Sequence, residues 1–413
     1  MTMPATADPF QETSEPQFGP APPPLAGKEL PSFRYPLGTM ATKKFDGGTA
    51  KEANVEGFPV SDKLAGVYMT LEAGALRELH WHANAAEWAY MLEGNARVTT
   101  IDPQGKSEVV DFGPGDVWYF PRGHGHSIQG LGPKGRSFIL VFDNGYFSEF
   151  GTFSITDWLG HTPDEVLAKN FGLKAATFKN FPKREVYIAK GPVPTPLPEN
   201  PKPGSLNEGA FTHRYRLLAQ EPTDFPGGNM RIVSQDQFPI SSTMTGAILL
   251  INPGGLRELH WHPNAAEWQY YVRGKARMTV FGSHGRARTD EFGAGDVGYV
   301  PQGFGHYIEN IGDEELKIVI VFNNATYESV SITAWLASNP DRLLATNFGV
   351  PEKIFAEMPK GQVIIPEQGK VYADCRAYRS RRSDLLWRFD RLSCSPTRRL
   401  PAHDHNACHR LRP

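Results

Sequence analysis

The stretch Leu79–Trp88 reads LHWHANAAEW, and Leu259–Trp268 reads LHWHPNAAEW. The two differ at one position and lie 180 residues apart, and each places two histidines, separated by one residue, before a glutamate. A long internal match at a fixed offset predicts two structural units of the same fold. The chemistry of one unit can therefore be compared with that of the other.

The repeat extends well beyond these ten residues. Further matches are LRELHWH at 76–82 and 256–262, GDV at 115–117 and 295–297, and VF at 141–142 and 321–322. Past this point the offset falls to 177, since NFG at 170–172 recurs at 347–349. The first copy therefore carries three extra residues between Phe142 and Trp158.

Each copy is built from short apolar segments bounded by glycine, proline or aspartate, such as GVYMTLEAG and RSFILVFDN. With 41 glycines and 35 prolines in 413 residues, this pattern is typical of an all-β sandwich or barrel. A helix is predicted near 155–170 and another near 332–347. We therefore expect two tandem β-barrel domains with short helices after each barrel.

Composition places the domain boundaries. A proline-rich, disordered arm is predicted for 1–36, the first barrel domain for 37–182, a proline-rich linker for 183–206 and the second barrel domain for 207–372. The segment 373–413 holds ten arginines, no lysine and all three cysteines of the chain. We interpret it as a basic, disordered tail, an unrelated extension of the chain; a binding arm or a zinc site are the alternatives.

The net charge of −2 gives no indication of nucleic-acid or membrane binding. No apolar run is long enough to span a bilayer, and the N-terminal segment does not resemble a secretory signal peptide. A cytoplasmic location is the expectation. Because the first 373 residues contain no cysteine, the body of the protein uses neither a disulfide nor a cysteine nucleophile.

The repeated motif predicts a metal site in each copy. On a strand His80 and His82 point to the same face, Glu87 follows after a turn, and a third histidine, His126, enters the next Pro/Gly-bounded strand. Three imidazoles and a carboxylate suit a borderline-to-hard divalent ion and leave coordination positions open. A single His-x-His is often fortuitous, but here the spacing recurs. The second set is His260, His262, Glu267 and His306.

The segments GALRELHWHANAAEWAYMLEG and PGDVWYFPRGHGHSIQ resemble the two motifs of the cupin superfamily, and the paired copies resemble the bicupin oxalate decarboxylases in particular. The resemblance covers roughly residues 30–370. It implies two jelly-roll barrels, two Mn(II) ions per chain, dioxygen as a co-catalyst, and conversion of oxalate to formate and carbon dioxide. It also implies a homo-oligomer, a trimer or a hexamer.

The resemblance assigns two further roles. Arg77, three residues before the first ligand, would bind a carboxylate of oxalate, and guanidinium geometry suits that task. An odd spacing from His80 would place it on the opposite face of a regular strand, so a bulge is required. Glu149 matches the glutamate of the family's Ser-Glu-Asn-Ser lid and would be the proton donor. Phe150 and Gly151 depart from that tetrad.

The second copy has no room for the lid, and Ile320 stands where some relatives carry a glutamate. We therefore expect the first domain to be catalytic and the second site to be structural or auxiliary. The alternatives are an oxalate oxidase releasing hydrogen peroxide, a non-catalytic binding or storage bicupin, and a bicupin dioxygenase or isomerase. Retention of all eight predicted ligands argues against a non-catalytic protein.

Overall fold

The computed structural model describes residues 29–133, 136–195, 197 and 212–369. The predictions for 1–28, for linker residues 196 and 198–206, and for the tail lie outside these ranges. The strands of residues 29–195 are β1 (Arg34–Tyr35), β2 (Lys43–Phe45), β3 (Gly48–Ala53), β4 (Ala65–Leu71), β5 (Leu76–Trp81), β6 (Glu87–Glu93), β7 (Asn95–Ile101), β8 (Ser107–Phe112), β9 (Asp116–Phe120), β10 (Gly125–Leu131), β11 (Arg136–Phe142), β12 (Phe153–Ser154) and β13 (Ile188–Ala189).

The second copy repeats this order. Its strands are β14 (Arg214–Arg216), β15 (Thr223–Phe225), β16 (Gly228–Val233), β17 (Thr245–Ile251), β18 (Leu256–Trp261), β19 (Glu267–Arg273), β20 (Ala276–Phe281), β21 (Ala287–Phe292), β22 (Val297–Val300), β23 (Gly305–Asn310), β24 (Leu316–Phe322) and β25 (Val330–Ser331).

Each copy forms two sheets around its own core. In the first copy one sheet has the order β9-β6-β11-β4-β3-β2, and the other has the order β12-β5-β10-β7-β8 with β13 also on β5. Alternate side chains of both sheets, among them Met69, Val98 and Phe138, are buried together, as expected for strands with one face on a core. The predicted all-β fold with two tandem barrel domains is confirmed.

Short helices follow each barrel, as predicted. They are α1 (Ile155–Gly160), α2 (Asp164–Phe171), α3 (Ile332–Ala337), α4 (Asp341–Phe348) and α5 (Lys353–Ala356). Each predicted helix is divided in two, because Pro163 and Pro340 disfavour a helical conformation in the residue before them. Among the described residues no helix is long and apolar enough to cross a membrane.

The first strand of each copy completes a sheet of the other copy. β1 pairs with β22, and β14 pairs with β9, so each of these sheets has seven strands. Leu30 and Phe33 are buried, and residues 29–36 therefore pack on the second copy. The domain boundaries proposed above stay a prediction.

A third apolar core joins the two barrels and includes Trp88 and Trp268. The two tryptophans pack reciprocally: a Cβ on Gly66 would lie 2.1 Å from Trp268 Cζ2, and a Cβ on Gly246 would lie 2.0 Å from Trp88 Cζ2. No methyl group fits at that distance. Packing between the domains is therefore the role of these two tryptophans.

We expect Gly66→Ala to destabilise the protein by about 1–3 kcal/mol, because the added methyl group overpacks the core against Trp268. Urea unfolding would measure the change. Gly305→Ala is the control, since its Cβ would meet Phe281 at 3.8 Å, an ordinary contact. Equal stability of the two variants would contradict the packing argument.

Candidate metal centres

The predicted ligand residues of the first copy meet inside its barrel. His80 lies on β5, Glu87 opens β6 and His126 lies on β10, while His82 follows β5 directly. All four are buried, and one potential ligand atom from each lies within 4.8 Å of the others. The alternation of β5 and the antiparallel pairing of His126 with His80 bring the set together.

Hydrogen bonds at Nδ1 orient two of the three histidines. His80 Nδ1 lies 2.6 Å from the Glu78 carbonyl oxygen, and His126 Nδ1 lies 2.9 Å from that of His124. A carbonyl only accepts, so each Nδ1 donates and each Nε2 is left with a lone pair towards the cluster. Burial lowers the pKa of His80 well below its usual value, which keeps the ring in its neutral, ligating form.

Glu87 supplies the carboxylate. Its Oε2 lies 2.9 Å from His82 Nε2 and 3.5 Å from His126 Nε2, and its Oε1 accepts a 2.7 Å hydrogen bond from Trp118 Nε1. Burial acts to raise the pKa of Glu87, but the interactions with His126 and His82 outweigh it and hold this pKa well below its usual range. The carboxylate is therefore ionised and suited to a cation.

The second copy builds the same cluster. The ligand atoms of its four buried residues, listed above from the sequence, also lie within 4.8 Å of one another. Glu267 Oε2 lies 2.9 Å from His262 Nε2 and 3.2 Å from His306 Nε2. Gln269 donates to Glu267 Oε1 at 2.7 Å, the role that Trp118 has in the first copy. In both clusters three imidazoles and a carboxylate fit a divalent metal ion.

Arg77 reaches the interior because β5 contains a bulge. Ile128 pairs with Arg77 and His126 pairs with His80, so β5 has one residue more than β10 between these two pairs. The extra residue turns Arg77 to the same side as His80, and the side chain is fully buried. β18 has the same irregularity between Arg257 and His260.

Glu149 lies on a short 3₁₀ turn, Glu149–Gly151, and is fully buried over the first cluster. Its Oε1 accepts a 2.9 Å hydrogen bond from Arg77 Nε. Its Oε2 lies 3.8 Å from His82 Nε2 and has no hydrogen-bond partner among the described residues. Burial raises the pKa of the Glu149 carboxyl, and the charge of Arg77 offsets this only in part. One oxygen is anchored, and the other is free to carry a proton.

The second copy lacks this carboxyl group. The four residues 148–151 are replaced by one, Glu328, which is exposed, and only its backbone carbonyl approaches the cluster, 2.6 Å from His262 Nδ1. Arg257 contacts hydroxyl groups instead, those of Ser329 and Tyr327. Ile320 lines the pocket at this cluster together with Arg257 and Tyr327. The three-residue insertion of the first copy thus lies in the turn that carries Glu149.

Several residues around the sites were not predicted. Thr152 accepts a 2.9 Å hydrogen bond from Arg77 Nη2, and the Tyr187 ring lies 4.0 Å from the Arg77 guanidinium. Glu78 accepts from Tyr187 N at 2.6 Å and from Ser154 Oγ at 2.7 Å. Glu78 recurs as Glu258 within LRELHWH, and this repetition could have identified the buried carboxylate. Tyr187 matches Ile364, so the repeat gave no signal for it.

Comparison with known proteins gives consistent results. A family model described as "Cupin" matches residues 39–179 and 215–354. The oxalate decarboxylase OxdC of Bacillus subtilis (strain 168) is 49% identical over 314 residues, 74% of this chain and 81% of the relative. A probable oxalate decarboxylase of Arthroderma benhamiae is 34% identical over 333 residues, covering 80% and 82% of the two chains.

Solved structures agree with the sequence relatives. A structure from work on the Mn(II) centres of Bacillus subtilis oxalate decarboxylase superposes with a TM-score of 0.79 at 44% identity and covers 83% of this chain and 90% of that one. Another, of the Bacillus subtilis enzyme at pH 4.6, gives a TM-score of 0.78 with 83% and 89% coverage. The similarity therefore spans both barrels.

Proposed function

The chain belongs to the cupin family, among its two-domain oxalate decarboxylases, and from this premise we propose that it converts oxalate to formate and carbon dioxide. The observation that carries the proposal is Glu149, a buried carboxyl group held by Arg77 against a three-histidine cluster. The second copy has no such group at its cluster. The reaction takes up one proton and involves no net oxidation, so it needs a proton donor at the reacting carbon.

Both clusters are proposed to hold Mn(II), with two ions per chain and dioxygen as the co-catalyst. The donor set, borderline imidazoles with one hard carboxylate, suits this ion, and the relative of known structure is described by its Mn(II) centres. His80, His82, Glu87 and His126 would hold the first ion, and the matching four residues the second. When bound, manganese with dioxygen would supply reversible one-electron oxidation of oxalate.

Arg77 is proposed to orient the substrate. Its guanidinium already bonds Glu149 and Thr152, so an oxalate carboxylate would share or displace the Glu149 contact when it arrives. An arginine retains its charge when buried and matches a carboxylate in shape. With the distal carboxylate of oxalate bound to Arg77, the carbon–carbon bond that is broken would lie near Glu149.

Glu149 is proposed to donate the proton. After carbon dioxide leaves, a proton on Oε2 would pass to the remaining carbon, and the electron first removed from oxalate would be returned to it, which gives formate. The closed turn buries this carboxyl group and excludes water from the reacting carbon. If the proton did not arrive, dioxygen would accept two electrons from oxalate and give two carbon dioxide molecules and hydrogen peroxide, the oxidase outcome.

The test is turnover of oxalate by the Mn(II)-loaded protein under air, with formate and hydrogen peroxide quantified together. We expect formate to exceed peroxide by a large factor, because the Glu149 turn is closed over the site. Predominant peroxide would assign the oxidase function instead. Neither product, with metal bound at both sites, would exclude oxalate as the substrate.

A homo-oligomer, a trimer or a hexamer, is also proposed. Large apolar side chains are exposed beside the barrels: Trp158 is 63% exposed, Trp335 is 56% exposed and Phe153 is 54% exposed. Such patches commonly mark protein interfaces. Light scattering in solution would give the number of chains.

The cytoplasmic location is kept as an expectation, and a membrane or nucleic-acid partner is not proposed.

A further inference from the structure

The lid rests on one hairpin of the first barrel, β2–β3. Lys43 pairs with Ala50, and Phe45 pairs with Gly48, so the alternation of the strands places Lys43, Phe45 and Glu52 on the same face. All three side chains interact with the lid residues 148–150. The hairpin is therefore the surface that receives the lid.

Phe150 occupies the centre of this contact. Lys43 Nζ lies 3.3 Å from the centroid of the Phe150 ring, a close cation–π contact. The rings of Tyr187 and Phe45 lie 5.6 Å and 6.5 Å from it, and they pack on each other at 4.2 Å. Phe150 is thus seated between a cation and two aromatic rings.

Glu52 holds the backbone next to Phe150. Its Oε1 accepts a 3.0 Å hydrogen bond from Glu149 N, and its Oε2 accepts one of 3.2 Å from Ser148 Oγ. On the other side of the turn Arg77 holds the Glu149 carboxylate. The residue proposed as proton donor is therefore fixed through both its amide and its side chain.

The second copy does not have the matching charged residues on its hairpin. Lys43 corresponds to Thr223, Glu52 to Ile232 and Tyr187 to Ile364. Only Phe45 corresponds to another aromatic residue, Phe225. In that copy a lid is absent from the described residues between 322 and 330. The lysine and the glutamate at these hairpin positions thus occur only in the copy that has a lid to bind.

We propose that Phe150 is a positioning residue that seats the lid on the β2–β3 hairpin, with Lys43 and Glu52 as its receptor. Seating the lid keeps the Glu149 carboxyl group at Arg77 and over the cluster. The inference rests on the proposed function, in which Glu149 donates the proton. Phe150 itself does not touch the substrate.

Hydrogen exchange of the lid tests the seating directly. In the Mn(II)-loaded full chain, the peptide spanning 145–153 would be followed by mass spectrometry, since the Glu149 amide exchanges when its bond to Glu52 opens. We expect Phe150→Ala to speed this exchange roughly tenfold, and Lys43→Thr to speed it by a smaller factor. Lys43 is exposed, so the second variant leaves the core intact.

The products test the consequence. With the lid released, Phe150→Ala should lower the ratio of formate to peroxide several-fold, whereas Phe150→Tyr, which keeps the ring, should restore both the ratio and the slow exchange. Tyr146→Ala is the matched control, because this aromatic residue of the same loop is 71% exposed. We expect its exchange rate and its product ratio to match those of the parent protein. A general loss of stability would not by itself change the ratio of formate to peroxide.

The outcomes separate the two proposals. Unchanged exchange in Phe150→Ala and Lys43→Thr would overturn the seating. Faster exchange with an unchanged product ratio would overturn the positioning role. If the parent protein made no formate, the proposed function would fail, while the exchange rates would still decide whether Phe150 holds the lid.

Discussion

Replacing Glu149 with glutamine is expected to lower formate production by about 10²- to 10⁴-fold, the usual contribution of a general acid. Glutamine can still accept the hydrogen bond from Arg77 that Glu149 Oε1 accepts at 2.9 Å, so the turn should stay closed. It cannot hold a transferable proton on the atom that faces His82. The oxidised intermediate would then lose a second electron, and peroxide per oxalate consumed should rise. Simultaneous assay of formate and peroxide measures both effects.

The second copy offers the matched control. Glu328 stands in place of the lid and is exposed, so Glu328→Gln should leave the formate yield unchanged. Formate production by Glu149→Gln at the parent rate would show that the proton comes from another group. A loss of both products in that variant, with its metal retained, would point to substrate binding and not to protonation.

Replacing His80 and His82 together with alanine is expected to empty the first cluster of metal and abolish turnover of oxalate. The ligand atoms of this cluster lie within 4.8 Å of one another, and two of its four donors would be gone. Glu87 would also lose its 2.9 Å contact with His82, which leaves a buried carboxylate poorly compensated. Elemental analysis should find one manganese per chain in place of two.

The same double replacement at His260 and His262 is the comparison. It should also reduce the metal content to one ion per chain, but turnover per ion in the first cluster should stay within a few-fold of the parent value. Loss of activity in this variant, with the protein folded and the first ion bound, would assign catalysis to the second copy. Circular dichroism would verify folding in both variants.

The sequence predicted the fold and the composition of the clusters well, and the reason is local. The spacing of His80 and His82 is set by the two-residue period of a strand. The repeat of the whole pattern at His260 and His262 makes coincidence improbable. Glycine and proline at the ends of short apolar segments likewise determine where strands stop. These signals act over a few residues and can be read in order along the chain.

The sequence also located the lid, because three residues added to one of two otherwise matching copies must form a loop. What it could not supply was the surface on which that loop rests. Lys43 and Glu52 are about a hundred positions before Phe150 in the sequence, and an exposed lysine or glutamate is ordinary on a β-hairpin. Only the packing of the hairpin against the turn made them part of the site.

Sequence alone therefore determined two tandem barrels and eight candidate ligands, and the role of Glu149 stays a prediction from the family resemblance. Tertiary structure decided the rest. It turned Arg77 inward through a bulge in β5, brought Glu149 to it at 2.9 Å, and joined the barrels through exchanged strands and the packing of Trp88 and Trp268. The physical reason is that periodicity and turn residues act locally, whereas these contacts depend on where distant segments meet once their apolar faces are buried.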